Sequence, residues 1–343
     1  MAIQSFDVTP ARLGKFAGEI IKHAIPVEVL AKTANQLQIP PNKSDTLALR
    51  SWVPYGATAA QPNQWTVQAE NAITAEGVTP DADTLVPRDV TFVLEQFMVL
   101  YSITDKAYDL FEDDLTAATK EQVGERTGLI KEMYLYGKMK AATTKFYGGT
   151  AVVTRAGVNA TITASLLGKI DRSLKANHSN RMVPILEASQ NFGTSSVSQA
   201  WIIFHHTDLD WDVAQLPGFT KVADYASRKM ICEYETGSFM NFRFVSSPEL
   251  VPYLGAGAAI GATGLKGTTN VDVYPMLCIA KDSYASVALR GMNAVTPIML
   301  MPGKQDKNDP GGQRGYVGSK WYDAAGILNQ GWIHVAEVGV TNL

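Results

Sequence analysis

The chain has 343 residues, of which 46% are apolar and 18% charged, with a formal net charge of −3. That charged fraction lies below the roughly 25% of an average soluble domain, so less of the surface is built for water, and much of it is expected to be covered by neighbours. Lys and Arg are scattered, without the broad positive field by which a dedicated DNA-binding protein displaces counterions, so nucleic acid is excluded as the primary ligand.

Residues 1 to 44 are weakly patterned, end in the loop IPPNKSD around Pro40 and Pro41, and read as an arm. The opening MAIQSFDVTPARLGKF has no apolar h-region, and no run of eighteen apolar residues occurs anywhere, so neither signal-peptide export nor a membrane span is expected. Thr46 to Val53 alternates like a strand until Pro54, Gly56 and ATAAQPNQ break it; Trp65 to Ala69 resumes briefly, and Ala75 to Pro87 is again turn-rich. This predicts two strands leaving the body, joined by an excursion of roughly 30 residues, a length that is uncommon inside compact domains and usually functional.

The return leg, Asp89 to Thr104, has no turn residue. Val90, Phe92, Leu94, Met98 and Leu100 fall on one face, and both faces are apolar past Gln96. Unbroken, it would extend roughly 50 Å, about the full diameter of a compact globule of this size. Either a bulge interrupts it, or the subunit is not a sphere.

Next, EDDLTAATKEQVGERTGLIKEMYLYGKMKAATTKF predicts a long helix of about 45 Å. Its acidic start is Glu112, Asp113 and Asp114, its basic end Lys138, Lys140 and Lys145, and its stripe Leu115, Ala118, Val123, Ile130, Met133, Tyr134, Gly137 and Ala141. From Tyr147 shorter elements follow. Thr163 is placed to cap a helix carrying Leu166, Leu167, Ile170 and Leu174; Ala200 to His206 reads as a buried strand; Asp208 to Ala226 reads as a helix broken at Pro217. Strands are expected at Asn241–Ser246, Val271–Ala280, Ser286–Leu289 and Pro297–Met301, and the tail KWYDAAGILNQGWIHVAEVGV alternates as if returning to pair with the long strand. The only cysteines, Cys232 and Cys278, lie far apart, excluding a disulfide framework or thiolate metal site and fitting a reducing cytoplasm.

Two constellations could carry chemistry. His205, His206, Asp208, Asp210 and Asp212 combine imidazole and carboxylate at the end of a strand, as a metal-dependent hydrolase using His205, Asp208 and Asp210 would. Adjacent strand residues point to opposite faces, however, and the acids suit a helix start, with Asp208 as N-cap; capping is the preferred reading. Gly255 to Thr269 invites a nucleotide-loop reading that its details defeat. Gly255, Gly257 and Gly261 give GxGxxxG, a strand-like segment follows, and Lys266 precedes Gly267 rather than Ser or Thr. No cofactor is implied. Trp52 and Trp65 flank the excursion, where aromatics are expected if an arm lies on a partner.

A projecting two-strand arm, a long spine helix, a separate α+β domain and a returning C-terminal strand resemble the Hong Kong 97-type major capsid protein of tailed bacteriophages. The likeness is nearest to the phage N-four coat protein family. It lies in AEGVTP (Ala75 to Pro80), DVTFVLEQFMVLYSITDKAYDL (Asp89 to Leu110), KEQVGERTGLIKEMYLYGKM (Lys120 to Met139), IIFHHTDLDWDVAQL (Ile202 to Leu216) and KWYDAAGILNQGWIHVAEV (Lys320 to Val338).

The resemblance implies an α+β capsid fold with an N-terminal arm at 1–44, an extended loop at 45–88, a peripheral domain with its spine helix at 89–146, an axial domain at 147–300 and a C-terminal return at 301–343. It implies no catalytic residue. Trp52, Trp65, Glu76, Arg88, Phe92 and Glu95 would make assembly contacts. Partners would be further copies of the chain in pentamers and hexamers, a scaffolding protein, a portal, a cement protein, and double-stranded DNA held by confinement, in a virion made in the host cytoplasm. The type member of the fold crosslinks its subunits through a lysine on the extended loop, whereas no lysine occurs here between Lys43 and Lys106, so a shell held non-covalently or by a separate cement protein is expected.

Overall fold

The computed structural model describes residues 25–55, 57, 63, 69–74, 76–77, 79, 84–110, 115–182, 199–225, 230, 232–261, 264–290, 295–305 and 309–343. After a segment without regular structure at 25–29 and a turn at 30–34, β1 (Asn35–Ile39) leads to β2 (Thr46–Trp52). The chain returns as β3 (Pro87–Val93) and β4 (Glu95–Thr104), followed by a short α1 (Asp105–Leu110) and the spine helix α2 (Leu115–Met139). Then come β5 (Lys145–Tyr147), α3 (Ala164–Ala176), β6 (Trp201–His205), α4 (Asp210–Ala214), β7 (Thr220–Lys221), β8 (Glu235–Phe239) and β9 (Phe242–Ser246). The last strands are β10 (Tyr274–Ile279), β11 (Tyr284–Leu289), β12 (Thr296–Leu300), β13 (Arg314–Ile327) and β14 (Ile333–Val338).

The predicted sixteen-residue strand is in fact two strands meeting at Leu94. β3 pairs antiparallel with β2, from Thr46 opposite Val93 to Trp52 opposite Pro87, whereas β4 pairs with β13, from Glu95 opposite Asp323 to Thr104 opposite Arg314. Between them Leu94 donates its N–H to the Asp45 carbonyl at 2.8 Å. The break reverses the alternation: odd residues Asp89, Thr91 and Val93 face out in β3, while in β4 the even Gln96, Met98 and Leu100 face out. A one-residue shift exchanges the faces of a strand. It lets Phe92 enter one core and Ile103 another, with Val99 also buried. The predicted return of the tail onto the long strand is observed.

A five-stranded sheet is built around β13, which carries β4 along one edge and β12 and then β11 along the other, with β1 beyond β11. A seven-stranded sheet runs β5-β14-β10-β6-β9-β8-β7. On one face of it lie Leu166, Leu167, Ile170 and Leu174 of α3, all buried, and the predicted cap is present: Thr163 Oγ1 accepts from Leu166 N at 3.2 Å. Against the other face pack Leu135, Tyr136 and Met139 of α2, with Val29 and Leu30.

At 25 residues α2 is about 38 Å long, shorter than predicted; Glu112, Asp113 and Asp114 lie outside the described residues. Of the predicted stripe only Val123 is fully buried, and Thr116, Thr127, Glu132, Leu135, Tyr136 and Met139 are the others that the fold covers. The helix spans two sheets, so its buried surface turns from the β4–β13 side at Val123 to the β10–β14 side at Leu135. Thr127 and Glu132 are tolerated inside because they are paired, Thr127 Oγ1 with Ser319 Oγ at 2.7 Å. The helix predicted over 208–226 stops at Ala214; past Pro217 and Gly218 the chain becomes β7.

Candidate functional site

The acidic and histidine cluster divides between two structural tasks. His205 ends β6 facing α4, and its Nε2 pairs with Asp210 Oδ1 at 2.8 Å. His206 lies past the strand end, where its Nδ1 accepts the Asp208 N–H at 3.0 Å, so His206 and not Asp208 is the cap. Asp208 Oδ2 instead accepts from Lys266 Nζ at 2.5 Å and Tyr274 OH at 2.7 Å. Burial would raise the Asp208 pKa, but these two donors outweigh it and hold the carboxyl below its usual range. Burial also lowers His206, and burial with the Asp208 hydrogen bond pushes Tyr274 up to about 12. Asp212 accepts from Thr341 N at 2.9 Å and Thr341 Oγ1 at 2.6 Å. Among the described residues no three of His, Cys, Asp and Glu converge as metal ligands. The Gly-rich loop is likewise a docked strap: Lys266 N donates to Val340 O at 2.8 Å and Asn342 N to Gly264 O at 2.9 Å.

The expected contact residues are distributed along the β2–β3 hairpin. Trp52 stands at its far end, 59% exposed, near exposed Tyr55, Leu85 and Val86. Glu76 is an exposed turn residue, Arg88 is half-buried beside Ser51, and Glu95 is exposed opposite Asp323; Trp65 lies outside the described residues. Phe92 is not a surface residue: it is buried against its own chain, on Gly326, where a Cβ would come within 2.8 Å of its ring. On the open face, Arg50 and Asp89 form a bidentate pair at 2.7 and 2.8 Å, which raises Arg50 and lowers Asp89 through their mutual hydrogen bonds.

Among the described residues the hairpin packs on one end of the sheet beneath it. Leu47, Leu49, Val90 and Phe92 pack on Ala285, Val287 and Ala324 at the β11–β13 end. On the same face of the sheet, further along β13, Gly318 stands opposite Leu100 on one side and Ile298 on the other, and Lys320 stands opposite Met98. Met98 is 53% exposed, and Leu100 and Leu300 are also open. A Cβ on Gly318 would strike Leu100 and the Val99 carbonyl, so glycine here lets Leu100 lie flat across the strand. Behind β12, a cavity of about 390 Å³ opens toward α2 between Val123, Gly124, Thr127, Pro297, Met299 and Val317. Among the described residues Met98, Leu100 and Leu300 leave apolar side chains exposed on the open face of this sheet, the kind of surface at which association occurs.

Sequence reasoning missed a buried ion pair on the seven-stranded sheet, beside the end of α2. Glu337 of β14 is fully buried on the α2 side, gripped by Arg155 Nε and Nη2 at 2.7 Å each. The guanidinium lies 3.5 Å from the Tyr253 ring centre, and Lys140, just past α2, sits 5.0 Å from the rings of both Tyr253 and Tyr136. A lone Glu inside the apolar run IHVAEVGV was the available signal. Its partner lies 182 residues away and left none.

No protein-family model matches the chain. A "Major capsid protein" of Pseudomonas phage KPP21 is 28% identical over 125 residues, 34% of this chain and 32% of that protein, so the similarity spans about a third of its length. Among solved structures, the chain aligns with the capsid of Ralstonia phage GP4 at a TM-score of 0.64 and 11% identity, covering 97% of this chain and 96% of that one. It aligns with the Cyanophage Pam1 capsid at 0.62 and 13%, covering 99% and 100%, and with the head of Helicobacter pylori bacteriophage KHP40 at 0.56 and 11%, covering 96% of each. The fold is therefore the Hong Kong 97-like fold of phage capsid subunits, as the sequence led us to expect. The finer likeness to the phage N-four family is not reached by these similarities.

Proposed function

We propose that this chain, built on the fold of phage capsid subunits, is a major capsid protein that assembles into the pentamers and hexamers of an icosahedral head around double-stranded DNA. The observation that carries the reading is the exposure, among the described residues, of apolar Met98, Leu100 and Leu300 on one sheet face and of Trp52 and Leu85 at the end of the hairpin. A head-to-tail contact between two different patches closes into rings, and many modest contacts sum to a stable shell. On this reading 45–88 is the extended loop, 89–146 with 301–343 the peripheral domain, and 147–300 the axial domain. Trp52, Glu76, Arg88 and Glu95 belong to the contact surface, with Phe92 as the root that aims it. Scaffolding protein, portal and cement protein are the implied partners. DNA is held by confinement, which suits a net charge of −3. The role is structural, in a virion made in the host cytoplasm.

Light scattering and negative-stain microscopy of the purified chain, alone or with its scaffold, are expected to show capsomers or shells. Trp52→Asp with Leu85→Asp is expected to leave the subunit folded and abolish them, and a wild-type chain that stays a compact monomer under all conditions defeats the proposal. Shells boiled in detergent are expected to release one band near 37 kDa, the subunit mass being 37.2 kDa. A covalent ladder would refute the expectation of a shell without covalent links.

A further inference from the structure

Resting on the capsid reading, we propose that Lys140, Lys145 and Arg155, gathered just past the end of the spine helix, bind backbone phosphates of double-stranded DNA. The three cations come from separate stretches of chain. Arg155 grips Glu337 through Nε and Nη2 at 2.7 Å each, and Lys145 Nζ stands 3.7 Å from the same carboxylate. Lys140 Nζ and the Arg155 guanidinium share the ring of Tyr253, 5.0 and 3.5 Å from its centre.

Glu337 is the only carboxylate, among the described residues, with which any of the three pairs. Burial is the main cause that raises Tyr136, Tyr147 and Tyr253 around them, and Glu337 is again the only carboxylate that adds to it. Three positive charges therefore stand against one negative, in a chain whose net charge is −3. The cluster is also held in place: all three side chains are half-buried, and Lys140 Nζ lies 5.0 Å from the Tyr136 ring centre as well. An anion arriving here costs little side-chain freedom.

The same packing selects the ligand. Tyr136 is buried and Tyr253 carries the Arg155 guanidinium on its ring, so neither offers a stacking platform to an unpaired base. The Arg155 fork is spent on Glu337, so recognition falls to the two lysines, point charges that suit phosphate oxygens without reading a base edge. The contact is independent of sequence, weakened by salt, and modest in one subunit, but it is repeated over every copy in a shell. It adds a local hold to confinement, and this end of α2 then faces the interior.

The test is fluorescence anisotropy of a labelled duplex titrated with the unassembled chain across a salt series. Wild type is expected to bind weakly and with a marked salt dependence. Lys140→Gln with Lys145→Gln is expected to weaken binding at low salt by about tenfold or more and to reduce the slope of log K against log salt by about 2, one for each lysine. Both changes leave the Arg155–Glu337 pair in place, so the thermal melt is expected to hold; Lys140→Arg with Lys145→Arg keeps the charges and is expected to bind as wild type does. Lys43→Gln with Lys304→Gln, two exposed lysines outside the cluster, is the control and is expected to keep most of the binding. A Lys140 and Lys145 glutamine pair that binds like wild type, a control pair that loses as much, or a wild type that binds no duplex overturns the site and leaves the capsid reading intact. Inorganic phosphate that raises the wild-type melt without any duplex binding would mark a free-phosphate site, and poly-glutamate that displaces the duplex at matched ionic strength would mark an acidic protein partner; either result overturns DNA as the ligand. A wild-type chain that binds duplex through these lysines but never forms shells defeats the capsid reading and leaves the phosphate contact standing.

Discussion

Arg155→Ala is expected to destabilise the free subunit by about 2–4 kcal/mol in urea unfolding. Glu337 is fully buried, and Arg155 supplies its bidentate partner with both contacts at 2.7 Å, while Lys145 Nζ stands off at 3.7 Å. Breaking a buried pair by removing one member typically costs roughly 3–5 kcal/mol, because the remaining charge is left uncompensated. The expected loss is lower here because Arg155 is 30% exposed, so water and Lys145 relieve part of it. Arg155→Lys keeps the charge but loses the planar fork and the stacking on Tyr253, and is expected to cost about half as much. Arg155→Met with Glu337→Leu should recover most of the loss, since an apolar pair of similar volume avoids the desolvation of both charges. A single Arg155→Ala loss under about 0.5 kcal/mol would show that Lys145 alone satisfies the carboxylate.

The position of this pair matters beyond its energy. Arg155 comes from the connection after β5, Tyr253 from the connection after β9, Glu337 from β14, and Lys140 from just past the spine helix. The stack joins the end of α2, which reaches across both sheets, to the seven-stranded sheet. On the proposed capsid reading, loosening this end of α2 alters how copies of the chain pack side by side. We therefore expect Arg155→Ala to broaden the size distribution of shells as well as lower stability.

What could be read from the sequence was what local chemistry decides. Thr163 and the spacing of Leu166, Leu167, Ile170 and Leu174 announced α3 because a cap and a helical stripe need only neighbours. The pairing of the tail with 95–104 was legible because both segments alternate. The break at Leu94 was not, because neither Gly nor Pro marks it: it arises where one strand leaves β2 for β13, a choice made by two distant partners. The face of α2 was misread for a related reason. A helix buried by different sheets at its two ends has no single stripe, and Thr127 and Glu132 look solvent-facing until Ser319 and the backbone at 29–31 are brought to them. The hydrolase-like cluster failed because side chains adjacent in sequence serve separate partners, Asp210 with His205, Asp208 with Lys266 and Asp212 with Thr341.

Glu132→Ala is the second large effect expected, about 2–4 kcal/mol together with release of the segment at 25–34. Glu132 Oε1 accepts from Val29 N at 2.9 Å and Leu30 N at 2.8 Å, and Oε2 from Ala31 N at 3.3 Å, so alanine strands three N–H groups of which two are on buried residues. Tyr284 OH holds the Leu30 carbonyl from the other side at 2.6 Å, so the turn keeps one anchor and the subunit should still fold. Trypsin should then cut at exposed Lys32, and equal resistance in both proteins would disprove the role.

The sign of the pH effect follows from the same geometry. Burial raises the Glu132 pKa above 4.5, the three backbone hydrogen bonds oppose it, and Glu28 adds a smaller rise. A carboxyl whose pKa is raised on folding binds its proton more tightly in the folded state. Its stabilising contribution is therefore complete below the unfolded value of 4.5 and is lost as pH rises through the folded value. Protonation on Oε2 sacrifices only the longest of the three bonds, which is why the neutral form is tolerated. Glu132→Gln reproduces that form at every pH. It is expected to remain within about 1 kcal/mol of wild type at neutral pH and to remove this site's pH dependence. A Glu132→Gln subunit as destabilised as Glu132→Ala would mean that the charge, and not the pair of hydrogen bonds to Oε1, holds the segment.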